Sequence, residues 1–156
     1  MAQEKNMEKH QTYKSMNENL SKAMRAEFYY QAIFIEYAII EDRCTSALKH
    51  AGIKYWDKKG RDISISQKLK EMRSNAVFQV PYVRQRISLE LLDEIMEWKD
   101  KRDNFIHHLA TIPYDHESVK TTAIIGQELV KKLSSKVRSV NTYHNNQRPE
   151  VTSDGL

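Results

Sequence analysis

Six residues, Tyr29, Ile33, Tyr37, Ile40, Cys44 and Leu48, recur at three- and four-residue spacing and draw one apolar stripe. That period belongs to an α-helix and to no strand, whose faces alternate every second residue. A helix with one apolar face must bury it against a partner, and the cheapest partner is another helix. The chain has only 4 Gly and 3 Pro among 156 residues, too few turn signals for a many-stranded fold. We therefore expect an all-α protein. Its length suffices for one domain with a real core and is short for two.

The pattern divides the chain into a polar N-terminal arm over 1–19, a helical domain over 20–140 and a flexible polar tail over 141–156. Within the domain, one long helix is predicted from Leu20 to His50, closed by Ala51-Gly52. A connecting segment from Ile53 to Asp62 follows, then a shorter helix from Ile63 to Ser74 capped by Ser64 or Ser66. Asn75 to Pro81 is ambiguous, and its Ala-Val-Phe-Gln-Val run could be an extended loop before the proline. A second long helix is expected from Tyr82 to Ala110, and a last one from the N-cap Asp115 to Val140. Together they make a bundle of four to five helices, with Leu20–Leu48 packed on Ile87–Leu109 and Val119–Val137.

Cys44 is the sole cysteine, so no disulfide can form within the chain, and its place in the stripe marks a buried, inert thiol. That fits a cytoplasmic protein. Residues 1–19 lack the apolar core of a secretory signal, and the run Ala32–Ile40, broken by Glu36, is too short to span a bilayer. We expect no membrane partner. The formal net charge is +4, from 25 basic and 21 acidic residues, which permits a polyanionic partner without requiring one. Two basic clusters, Lys58-Lys59-Gly60-Arg61 and Lys131-Lys132 with Lys136 and Arg138, are either solvated faces or RNA contacts.

The chemistry concentrates in Arg102-Asp103-Asn104-Phe105-Ile106-His107-His108. Arginine is a permanent cation whose fork fits phosphate oxygens, and histidine moves protons near neutral pH. Ile95, Arg102, Ile106 and Leu109 share one helical stripe, which places Arg102 among core residues. His107, five residues on, points about 140° away from Arg102 on an ideal helix. One helix cannot aim both at one atom unaided, whereas a second copy across a dimer axis would help. Asp103 lies beside His107 at four-residue spacing and could orient it; Asn104 and His108 make a similar, more polar pair. Glu36 interrupts the apolar arc of the first helix. Either it pairs with Arg43 at a helix interface, or it faces Arg102 across the bundle and holds the guanidinium. No carboxylate or Cys/His constellation suggests a metal site or other cofactor, and the adjacent histidines diverge on a helix.

An arginine, then a polar residue, then a histidine after four to six positions, late in a long bundle helix, resembles the motif of the HEPN superfamily. The aromatic-rich Phe28-Tyr29-Tyr30, the run Glu41-Asp42-Arg43 and a closing helix after Pro113 resemble that fold too, over roughly residues 20 to 140. The resemblance implies a HEPN-like bundle that acts as a homodimer and a metal-independent endoribonuclease, in the biological setting of a toxin or phage-defence effector. An antitoxin or other regulatory protein would then be a partner. By position, Arg102 would bind the scissile phosphate, His107 would move the proton, and Asp103 would fill the polar position. His108, Asn104 and Glu36 are supporting candidates from helix geometry alone, outside what the resemblance implies. The alternatives are a non-catalytic helical dimer that binds RNA, a nucleotide or a protein through the same cleft, and a purely structural bundle.

Overall fold

The computed structural model describes residues 1–74 and 81–146. They form six helices: α1 (Ala2–Arg25), α2 (Tyr29–His50), α3 (Ile65–Met72), α4 (Pro81–Arg84), α5 (Leu89–His107) and α6 (His116–Asn146). The all-α expectation holds, with six helices where four to five were expected. The candidate loop at 75–80 and the tail beyond residue 146 lie outside the described residues.

Two boundaries differ from the sequence reading. Residues 1–19 are no arm, because α1 runs unbroken through Arg25. Its polar composition hides a narrow apolar edge, with Leu20 and Ala23 buried and Tyr13 and Met16 packed against the core. The long helix expected from Leu20 to His50 is two helices. The break comes at Glu27, whose φ of 59° takes the chain into the left-handed region and folds α2 back along α1. No Gly or Pro announces this turn, so it was invisible in the pattern.

Other ends follow their local chemistry. Gly52, with φ 71°, closes α2, and the amide of Ile53 donates to the Leu48 carbonyl at 2.9 Å. The Ser64 hydroxyl caps α3 by accepting from the Gln67 amide. The helix expected from Tyr82 to Ala110 is interrupted: the amides of Arg86 and Ile87 bond back to Val83, and Ser88 caps a fresh start by accepting from Leu91. Asp115 caps α6 through the Ser118 amide, as expected.

The core is built on α2 and α6, which run in the same direction: Tyr29 touches His116 at one end, and Glu36 meets Gly126 further along. Packed against this pair are α1, through the Tyr13 hydroxyl bonded to Ser134 Oγ, and α5, through Trp98 Nε1 donating to the Thr122 carbonyl at 2.9 Å. The stripe residues Tyr29, Ile33, Ile40, Cys44 and Leu48 are all buried, alongside Leu92, Ile95, Leu129 and Leu133. On the other side of α2, Lys68 of α3 is buried and reaches Glu41 at 3.3 Å and Asp62 at 3.6 Å. No helix among the described residues is long and apolar enough to cross a membrane.

Candidate functional site

The motif occupies the last turns of α5. Arg102 is half-buried, its side chain 16% exposed, and it lies in the crevice between α5 and α2. Its guanidinium carbon sits 4.0 Å from the Tyr37 ring centre and 5.6 Å from that of Phe34. A guanidinium stacked on an aromatic face gains from the ring quadrupole and from cheap desolvation. Arg102 also donates from one terminal nitrogen to Asp103 Oδ1 at 2.9 Å, while its Nε is buried without a hydrogen-bond partner. Asp103 accepts a second contact from Lys99, one turn back, at 2.7 Å. Burial pushes the Asp103 carboxyl up, but the bonds from Lys99 and Arg102 outweigh it and hold the group below its ordinary value.

This arrangement revises the role given to Asp103. Its oxygens turn to Lys99 and Arg102, and no hydrogen bond or ion pair among the described residues joins it to His107. Two cations within reach hold the carboxylate through charge-assisted bonds. His107 is the final residue of α5, exposed and without a polar partner among the described residues. His108 is the C-cap; its carbonyl accepts the amides of Thr111 and Ile112 at 3.0 and 2.9 Å and so closes the helix. Leu109, expected in the core stripe, lies past this end and is exposed.

Glu36 overturns both expectations for it. It contacts neither Arg43 nor Arg102. Arg43 pairs with its neighbour Asp42 and stacks on Tyr13, and Arg102 is taken by Asp103. In each case the adjacent carboxylate is the nearer anion. Glu36 instead points into the core against α6. It is fully buried, and neither carboxyl oxygen has a hydrogen-bond partner. Burial pushes its carboxyl up to about 9, so the group is neutral at physiological pH. Gly126 makes the room: a Cβ there would collide with the Glu36 carboxyl and come within 2.7 Å of Trp98 Nε1.

Beside the motif lies a small cavity of about 200 Å³, walled by Tyr30, Asn104, Phe105, His108, Ile112 and Val119 among others. Asn104 and His108 therefore share a concave wall, whereas Arg102 and His107 are absent from it. Tyr114 caps this region: its ring packs 5.6 Å from that of Tyr30, and its hydroxyl lies 3.1 Å from His116 Nδ1. The sequence reading missed Tyr37, Phe34, Lys99, Tyr30, Tyr114 and His116. Only Lys99 carried a signal, being four residues ahead of Asp103. The others come from neighbouring helices or, for Tyr114, from the connection between α5 and α6.

Within one chain, then, Arg102, Asp103 and Lys99 form a polar cluster on an aromatic bed, His107 stands apart at the helix tip, and Glu36 belongs to the core. Among the described residues no group of three His, Cys, Asp or Glu side chains is placed to hold a metal ion. No family model, no curated protein and no solved structure matches the chain.

Proposed function

We propose that the chain is a metal-independent endoribonuclease of HEPN type, working as a homodimer in the cytoplasm, in the role of a toxin or phage-defence effector. The observation that carries this reading is the state of Arg102 and His107 on one helix end. The guanidinium is oriented by Tyr37 and Asp103, yet the Asp103 bond occupies one of its five donors. His107 is solvent-facing and uncommitted, as a proton carrier must be.

RNA supplies its own nucleophile. In the proposed reaction the 2′-oxygen bonds to phosphorus and the bond to the 5′-oxygen breaks. His107 takes the proton from the 2′-hydroxyl, the His107 of the second copy delivers one to the departing 5′-oxygen, and Arg102 stabilises the extra charge on the phosphorane oxygens. The products are a 2′,3′-cyclic phosphate and a 5′-hydroxyl. Because Arg102 and His107 diverge along the helix, a second α5 brought across a dimer axis completes the set. Exposed apolar side chains around the motif support that arrangement: Phe34 is 48% exposed, Leu109 49%, Ile112 53% and Tyr114 56%.

The test is RNA cleavage in excess EDTA. The wild type cuts RNA and leaves DNA intact, and Arg102→Ala and His107→Ala each lose activity by at least about a hundredfold, the usual contribution of a general acid–base group. A folded wild type that cuts no RNA sinks the reading.

One observation favours a second reading. The Arg102 charge already has an anion in Asp103, and neither Arg102 nor His107 lines the small cavity beside the motif. A non-catalytic dimer that binds RNA through the same face would look like this. It forms a complex with RNA and releases no product.

A further inference from the structure

We propose that the groove between α1 and α6 is a docking track for the phosphate backbone of single-stranded RNA. The groove encloses about 710 Å³ and is walled by Lys14, Lys22 and Arg25 from α1 and by Lys131 and Arg138 from α6. Glu18 is the only carboxylate on its wall. All five cations are exposed, and no ion pair or side-chain hydrogen bond among the described residues engages any of them.

Two neighbouring cations of one basic cluster have different fates. Lys132 leaves the groove and pairs with Glu94 at 3.1 Å, while its neighbour Lys131 enters the groove and has no ion pair among the described residues. Arg61 of the other basic cluster is likewise committed, to Asp57 at 2.8 Å. Five cations face a single carboxylate, Glu18, across the groove, and an incoming polyanion meets that excess charge while displacing its own counterions.

The groove is already formed. Its floor is Val130 and Ser134, and the bond between Ser134 Oγ and the Tyr13 hydroxyl stitches α1 to α6 there. From Lys14 to Arg25 the track runs about 16 Å at the helical rise. That accommodates roughly five phosphates of a strand stacked at 3.4 Å per residue. Exposed lysines and arginines address phosphates rather than base edges, so binding is independent of sequence. RNA as the polymer rests on the ribonuclease reading; the polyanion chemistry does not. The track belongs to α1 and α6, and Arg102 to α5, so docking and cleavage separate by mutation.

The experiment is fluorescence anisotropy with a labelled single-stranded RNA, 2′-O-methylated so that it cannot be cut. The wild type binds, and log affinity falls steeply with log salt. Lys22→Glu with Lys131→Glu keeps the helical circular dichroism, binds on the order of 25-fold more weakly at 0.1 M salt, and flattens the salt slope by about 1.4, at about 0.7 per phosphate contact. Lys132→Ala, whose side chain lies outside the groove, binds as the wild type does. An unchanged affinity or slope in the double variant overturns the track, as does failure of the folded wild type to bind. Equal affinity for poly-glutamate also overturns it in favour of an acidic protein partner. Binding that follows this pattern, with no cleavage of unmodified RNA, supports the track and removes the ribonuclease reading alone.

Discussion

Arg102 and Glu36 are both charged residues placed among apolar neighbours, and the protein treats them oppositely. Arg102 remains at the boundary of the core, where an aromatic face and a carboxylate accept its charge. Glu36 goes fully inside and surrenders its charge. That difference sets a pH dependence. The folded state raises the Glu36 carboxyl from 4.5 to about 9, so between those values the folded protein holds a proton that the unfolded chain releases. Glu36 therefore contributes a stability that declines as pH rises through that window and costs nothing below it. Glu36→Gln removes the decline: urea midpoints measured across the window flatten relative to the wild type. A wild type and variant with the same pH slope would contradict the neutral, buried carboxyl. Cys44 needs no such test in catalysis, because burial pushes its thiol up to about 12 and keeps it a packing group.

Packing between helices depends on one close approach. Gly126 lets the middle of α6 come against Glu36 of α2 and Trp98 of α5. Alanine is the better helix former by about 1 kcal/mol, whereas forcing a methyl into a filled contact costs typically 1–3 kcal/mol. The collision prevails, because all three nearest atoms belong to the buried carboxyl and the rigid indole. Gly126→Ala is expected to lose about 1–2 kcal/mol and roughly 3–6 °C in Tm. In an Glu36→Ala background the loss shrinks, and a thermal-melt double-mutant cycle reads the coupling. Helix ends were legible wherever a side chain or glycine made them: Ser64, Asp115 and Gly52 all act as their types suggest. The turn at Glu27 was not legible, since a glutamate with positive φ is held there by the packing of α1 on α2 rather than by its own preference.

Taken as a whole, the molecule presents two unlike surfaces. Around the tip of α5 the side chains of Phe34, Leu109, Ile112 and Tyr114 stand exposed, and along α1 and α6 five cations without an ion pair among the described residues line a groove. The first suits a second copy of the chain and the second suits a polyanion. If the dimer forms through the α5 tip, Ile112→Asp converts it to a folded monomer in analytical ultracentrifugation and abolishes RNA cleavage while the groove still binds RNA. A variant that stays dimeric, or a monomer that cuts as fast, would place the interface or the active unit elsewhere.

Periodicity and the scarcity of Gly and Pro were enough to establish an all-helical chain, the buried face of α2, most caps and the Arg102-to-His107 spacing, because these depend on residues within a few positions of one another. The destination of each charge depends on chain segments far apart in sequence. Glu36 was drawn toward two arginines by pattern, yet each arginine had a nearer carboxylate, and a glycine ninety residues downstream opened the space that Glu36 fills. Lys131 and Lys132 look alike in the chain; a rotation of about 100° on α6 sends one to Glu94 and the other into the groove. Local backbone preference is a short-range property and can be read along the chain, whereas burial, pairing and exposure are settled by which helices meet and at what rotation.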